Sequence, residues 1–457
     1  MSIPINGRIA IIDDKINQAQ PLINILSKNQ KPHTYFSGDP KYLPVDGENY
    51  NDIRVLFLDI NLIDDATHQD KVLKAKLVPV LKRVISSKNF PYVIVYWSRN
   101  DNEYDSLIKD IFDNDLDDRK PIGFTSANKS DFFNYDGTET EDSEENLESL
   151  FGKVTNLIND DPVHSYLLQW ENQIHQSTDL TLQEVFSSYH EFKDWTDNAN
   201  FIMNKLGSSY SGKTYKSQIA ENKLKSSFNA LNIVLNDTIE HTINTTAIEK
   251  PQELQISGNI LSDNIYSINS KLLLNGATDP IEYSGAIIED INLKTEAIFK
   301  DLLNNSIDRN HIQNIIPDID KVDKTEREIS KLVDKNAKAI RGNIRKEWKK
   351  IYCTVTPLCD YVQGKNEYNR CVKGMLIKSD YLDYIDDKSE AIFISPIFDL
   401  KGEKYILILN FRYFFTSTNT HNIKHIKPLF RARQQLLSEI QSKLARHINR
   451  QGILFLS

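Results

Sequence analysis

Four oxygen-bearing side chains stand at the ends of short apolar runs. Asp13 and Asp14 close the run Ile9–Ile12, Asp59 closes Val55–Leu58, and Ser98 closes Tyr92–Trp97. In an open parallel sheet, ligands bind beyond the carboxyl ends of the strands, so residues that end adjacent strands meet in one crevice. Three carboxylates gathered there repel one another unless a divalent cation joins them, and hard oxygen ligands suit Mg²⁺. Phosphoryl transfer to an aspartate uses the same parts: a carboxylate nucleophile, a metal that neutralises phosphoryl charge, and a hydroxyl or cation for the remaining oxygens. On this reading Asp59 is the nucleophile and Asp13 and Asp14 hold Mg²⁺. The backbone carbonyl of Asn61 completes the metal shell, and Ser98 hydrogen-bonds the acyl phosphate.

Positioning these residues requires an α/β domain. Strand-like runs at Ile9–Ile12, Val55–Leu58 and Tyr92–Trp97, with weaker ones at His33–Phe36 and Pro121–Thr125, alternate with the amphipathic stretches QAQPLINILSKNQ, QDKVLKAKLVPVLKRVISSK and DNEYDSLIKDIFDND. That alternation predicts a doubly wound, five-stranded parallel sheet with the order βαβαβαβαβα. The helix ENLESLFGKVTNLI closes it, and Asn159-Asp160-Asp161-Pro162 reads as a boundary. The expected organisation is a first domain over 1–162, a helical connecting region over 163–290 and a C-terminal α+β or barrel-like module over 291–457. In the last of these, KKIYCTVTP, GMLIK, AIFISPIF and KYILILNFRYFF are strand-like, and PLFRARQQLLSEIQSKLARHINRQ reads as a closing basic helix.

The N-terminal third resembles the response-regulator receiver family: IAIIDDK matches its acidic-pair strand, VLFLDINL its phosphoacceptor strand, and VIVYWS the strand that ends in Thr or Ser. The resemblance implies aspartate phosphorylation, Mg²⁺ dependence and a histidine kinase or other phosphodonor as partner. It also implies a lysine at the end of the fifth strand. Two residues compete for that place: Lys129 ends PIGFTSAN, and Lys120 precedes Pro121 as the family's Lys-Pro pair would suggest. The strand geometry favours Lys129. The chain differs from the family in having Arg99 where a small residue follows the Thr or Ser, and Ser126 where a switch aromatic stands. Receiver-like domains fused to large C-terminal regions resemble atypical bacterial proteins of conflict or phage-defence systems, which would make the C-terminal module an output or a docking surface for a partner effector.

A different class of function would place chemistry in the C-terminal module. Cys359 and Asp360 follow a strand and a Pro turn, and a thiol there becomes a nucleophile if His421, His425 or His447 lies beside it. The commoner role for such a Cys is packing. Cys353, Cys359 and Cys371 lack the paired spacing of a zinc site. Gly212-Lys213-Thr214 ends like a phosphate-binding loop but lacks the glycine and strand that should precede it. A third alternative is a non-catalytic scaffold carrying a degenerate receiver.

Composition narrows the classes further. A formal net charge of −9 over 457 residues argues against DNA-backbone attraction by the molecule as a whole. It leaves room for local basic faces at Arg341–Lys350 and at Arg431, Arg433, Lys443, Arg446 and Arg450. Three cysteines fit a reducing compartment, and no run approaches the ~18 apolar residues of a membrane span, so the expected location is cytoplasmic.

Overall fold

The computed structural model describes residues 8–45, 52–63, 66, 68–98, 104–132, 134, 138–160, 162–187, 195–248, 251–254, 262–276, 281–322, 324–365, 367–418 and 428–449. The chain divides into two compact units, the first formed by residues 1–195 with 231–256, the second by 196–230 with 257–457.

The first unit holds β1 (Ile9–Ile12), α1 (Ile16–Lys28), β2 (His33–Phe36), β3 (Val55–Asp59), α2 (Asp70–Val84), β4 (Val93–Ser98), α3 (Asp105–Asp110, continued by a π-helical turn to Asp115), β5 (Gly123–Asn128) and α4 (Ser143–Asn159). The five strands are all parallel, in the order β2-β1-β3-β4-β5. Alternate strand residues face opposite sides, as the period of two requires. Ile12, Leu56, Leu58, Ile94 and Tyr96 pack with α2 and α3, while Ile11, Val55, Phe57, Val95 and Trp97 pack with α1 and α4. Both faces are therefore covered and the strands read as continuous apolar runs. The order expected from sequence put a helix between every pair of strands. Between β2 and β3, however, the described residues hold only a 3₁₀ turn at Pro40–Tyr42. Pro40, Pro44 and the glycines Gly38 and Gly47 in that stretch leave no uninterrupted amphipathic run.

Next come α5 (Pro162–Phe186), α6 (Trp195–Ser211) and α7 (Ala220–Thr245). Within the first unit, α5 is fixed to the amino-terminal edge of the sheet. Its Glu171 takes both Arg54 Nε (3.0 Å) and Nη2 (2.8 Å), and Arg8 Nη1 at 2.6 Å.

The second unit contains α8 (Ser262–Leu273), β6 (Leu274–Asn275), β7 (Ala286–Glu289), α9 (Glu296–Asn304), α10 (Arg309–Ile315), α11 (Glu326–Glu347), β8 (Lys349–Thr354), α12 (Leu358–Val362), β9 (Tyr368–Lys378), β10 (Ile392–Ile394), β11 (Phe398–Leu400), β12 (Glu403–Thr418), β13 (Phe430–Ala432) and α13 (Gln434–Ile448). Its strands form a curled antiparallel sheet in the order β10-β12-β9-β8-β7-β13-β6, with β11 on β12. Ile406 and Ile408 face α9–α11, and Leu407 and Leu409 face α13. The closing segment is not helical throughout. Phe430–Ala432 pairs with β6 and β7, because Phe430 and Ala432 are more useful buried in the sheet core than on a helix, and the helix starts at Gln434. Among the described residues no helix is long and apolar enough to cross a membrane.

Candidate functional site

The order β2-β1-β3-β4-β5 reverses direction between β1 and β3, and that reversal opens a crevice at the carboxyl ends of these two strands. Asp13 and Asp14 follow β1, and Asp59 is the last residue of β3. Each offers a carboxylate oxygen, and the three oxygens lie within 4.8 Å of one another. Asp13 and Asp59 are buried and Asp14 is half-buried. Among the described residues this is the one group of His, Cys, Asp or Glu side chains gathered closely enough to hold a metal.

Lys129 enters the crevice from the 3₁₀ turn after β5, a turn capped by Asn128, whose side chain accepts from Ser130 N. Its Nζ lies 2.7 Å from Asp59 Oδ2 and 3.0 Å from Asp13 Oδ2. It donates to Gln18 Oε1 at 3.1 Å, and it stands 5.2 Å from the centre of the fully buried Trp97 ring. The other lysine, Lys120, pairs with Asp113 at 2.7 Å on the surface. The remaining carboxylate oxygens accept backbone amides, Asp13 Oδ1 from Lys15 (2.9 Å) and Asp59 Oδ1 from Asn61 (3.2 Å). The Tyr35 hydroxyl donates to the backbone carbonyl of Asp13 at 2.7 Å, which fixes the end of β1.

The electrostatics follow from the count of charges. Three carboxylates face two lysines, Lys129 inside the crevice and Lys15 beside Asp13 and Asp14. Burial pushes Asp59 up to about 7, with Lys129 pulling it down and Asp13 adding to the rise. Burial likewise raises Asp13, and it raises Asp14 with the help of the Asp13 charge. Burial acts against the Lys129 ammonium, yet Asp59 and Asp13 hold its pKa above the ordinary lysine value. A cluster of this kind favours protons or a further cation, and the all-oxygen donor set fits a hard divalent ion such as Mg²⁺.

The structure thus brings Asp13, Asp14, Asp59 and Lys129 into one place. Asn61 stands at its rim, with its backbone amide on Asp59 and its side-chain amide donating to Ala66 O at 2.8 Å. Ser98 ends β4 opposite Asn128, which puts it at the same edge of the sheet; its side chain, like Arg99, lies outside the described residues. Ser126 pairs with Tyr96, so the aromatic at this level belongs to β4, where its buried ring sends its hydroxyl to Asp105. Gln18 and Trp97 were not singled out from sequence as lysine contacts. Gln18 has a signal in hindsight, since it lies one turn into the helix that follows the acidic pair.

The C-terminal candidates stand apart from this cluster in character. Cys359 is exposed, with Sγ 3.8 Å from Asp360 Oδ1. His447 packs its ring on Phe411, and His421 and His425 lie outside the described residues. Cys353 and Cys371 are buried, and burial raises both thiols, Cys371 to about 12, which suits packing and opposes thiolate chemistry. Thr214, the hydroxyl of the phosphate-loop-like segment, donates to the carbonyls of Ser211 and Val362. Comparison with known proteins gives no match to any family model, to any curated protein or to any solved structure.

Proposed function

We propose that the first unit is a receiver-like phosphoacceptor of the response-regulator type, with Asp59 as the acceptor, and that its modification controls the C-terminal module. The observation that carries this reading is the surplus of three clustered carboxylates, two of them buried, over the two lysines that act on them at the β1/β3 crevice, Lys129 within it and Lys15 beside Asp13 and Asp14. A purely structural ion pair needs no such surplus.

Asp13, Asp14 and Asp59 would hold Mg²⁺, which supplies positive charge for the carboxylates and for the incoming phosphoryl oxygens. Asp59 attacks phosphorus with a carboxylate electron pair. With acetyl phosphate as donor, the bond from phosphorus to the acetyl oxygen breaks and acetate leaves with that pair, so no proton has to move. Asp59 must be ionised to do this, and Lys129 favours that form. As Asp59 becomes an acyl phosphate, the Lys129 ammonium transfers its pairing from the carboxylate to phosphoryl oxygens, guided by Gln18 and the Trp97 face. In a cell the donor on this reading is a histidine kinase or another phosphodonor protein, and a conflict or phage-defence setting is compatible with the module organisation.

The test is intact-mass analysis of the full chain after incubation with acetyl phosphate and Mg²⁺. The expected result is one hydroxylamine-labile phosphoryl adduct on the wild type and none on Asp59→Asn. An adduct that persists in Asp59→Asn, or a wild type that stays unmodified with donor and metal in excess, overturns the reading.

A further inference from the structure

The long helix α11 sorts its residues by side. Val333, Ala337 and Ile344 are buried, with Leu332 and Ile340 partly so against the same core. The opposite side carries Arg327, Lys331, Lys335, Lys338, Arg345 and Lys346, all exposed. Spacings of four, three and seven residues from Lys331 through Lys335 and Lys338 to Arg345 keep them on one face. From Arg327 to Lys346 that face runs for roughly 28 Å at 1.5 Å per residue.

The acids nearest the stripe are already engaged. Glu328 accepts from both the amide and the hydroxyl of Thr325 in the capping box, and Asp334 pairs with Arg309 at 2.6 Å. Among the described residues, Lys331, Lys335 and Lys338 have no ion-pair partner. Arg341, half-buried at the edge of the stripe, has its pKa lowered by burial and then by Arg309 and Arg345, which marks a place where cations crowd one another.

Gly342 lies between Lys338 and Arg345 on the same face. A Cβ there would meet nothing within 4 Å, so packing does not require a glycine. Glycine in a helix interior costs about 0.5–1 kcal/mol relative to alanine. What it offers in return is a bare stretch of helix on which another backbone can come close.

We infer that the basic face of α11 is a docking surface for the phosphate backbone of a nucleic-acid duplex. Charge complementarity is one argument, and the absence of apolar surface is the other. No large hydrophobic side chain of α11 is exposed, whereas protein partners want an apolar, lysine-poor centre and nucleic-acid interfaces are dominated by positive charge. The chain as a whole carries −9, so binding depends on this local stripe.

The experiment uses the full chain and a fluorescein-labelled duplex oligonucleotide of mixed sequence, with anisotropy followed across a salt series. The wild type is expected to bind at low salt with a steep linear loss of log affinity against log salt. The triple variant Lys331→Gln, Lys335→Gln, Lys338→Gln, whose sites are exposed, should keep the wild-type circular dichroism. Its salt slope should fall by about 2–3, the value for three lost phosphate contacts, and its affinity by roughly tenfold or more. Gly342→Glu, which puts an acid in the middle of the stripe, should weaken binding in the same direction. No binding by the wild type at low salt, or a slope unchanged in the triple variant, overturns the inference. So does labelled polyglutamate that binds as tightly as the duplex and is lost in the same variant, since the occupant would then be an acidic protein surface.

Discussion

Lys129, buried, and Lys373, half-buried, are both cations paired with buried aspartates that follow or end apolar strands, one in each unit. Lys129 meets Asp59 and Asp13, with Asp14 close by. Lys373 meets Asp290 alone, at 2.9 Å, just after β7. The second pair is balanced. Asp290 Oδ1 also accepts from Asn292 N and the Thr295 hydroxyl, both at 3.0 Å, and the Lys373 ammonium lies between the rings of Phe299 (4.9 Å) and Phe415 (4.8 Å). Every charge there has an opposite and the remaining surface is apolar. At Lys129 the negative charge exceeds the positive; burial raises both carboxylates, and the Asp13 charge adds to the rise at Asp59. An Asp–Lys pair at a strand end is thus no mark of chemistry by itself; an uncompensated group of acids is.

The comparison breaks most visibly if both lysines are removed in turn. Lys373→Met leaves a lone buried carboxylate and should cost about 3–5 kcal/mol of stability, seen in denaturant titration and unchanged by Mg²⁺. Lys129→Met should also destabilise the chain in the presence of a chelator, but millimolar Mg²⁺ should restore much of the loss. Equal Mg²⁺ responses in the two variants would erase the distinction.

A smaller effect concerns pH. Asp59 sits at about 7 in the fold against an ordinary value of 3.8, so between these values the native state holds more protons than the unfolded chain. Stability should therefore fall as pH rises from about 4 to about 7 and level off above, the direction set by proton linkage. Asp59→Asn removes that cost. Its Tm without Mg²⁺ should exceed the wild type at neutral pH by about 2–4 °C, on the order of 1 kcal/mol after the lost Lys129 contact, and the gap should close toward pH 4. A thermal scan that shows the wild type more stable at neutral pH than at pH 5 would contradict this account.

The smallest effects separate the shell of Lys129 from the bulk surface. Gln18→Ala loses the hydrogen bond to the Lys129 ammonium and should slow acetyl phosphate labelling a few-fold without abolishing it. Lys120→Ala, which opens a surface pair, should stay within about 0.5 kcal/mol of wild type and label at the wild-type rate.

Strands β1 and β3 fall where their apolar runs stand in the sequence, because a strand buried on both faces must be apolar at every position. The fifth strand is harder to place. GFTSAN is half-buried at the sheet edge and mostly polar or small; it begins two residues after Pro121 and ends at Asn128, as PIGFTSAN does, three residues beyond the apolar run Pro121–Thr125. That polar end of the strand is what carries Lys129 to the carboxyl edge. The acids of the site were legible because each ends a run, whereas Gln18 and Trp97 acquire their role only through contacts between residues distant in sequence. In the second unit, β6 and β13 have two and three residues and were invisible to any period of two. The span of β9 shows the opposite case, since GMLIK is its apolar end and YNRCVK, partly exposed, is paired through β12 beyond the reach of composition.

The division of the chain into two interleaved units has a consequence for how it is made. The first unit closes with residues 231–256, but these leave the ribosome only after residues 196–230, which belong to the second. At roughly 5–20 residues per second, the chain that carries Asp13, Asp59 and Lys129 is made about 6–25 s before its own unit is complete at residue 256. During that interval the nascent chain already presents the gathered carboxylates of Asp13, Asp14 and Asp59, so a hard cation can act on the growing polypeptide before the first unit is closed.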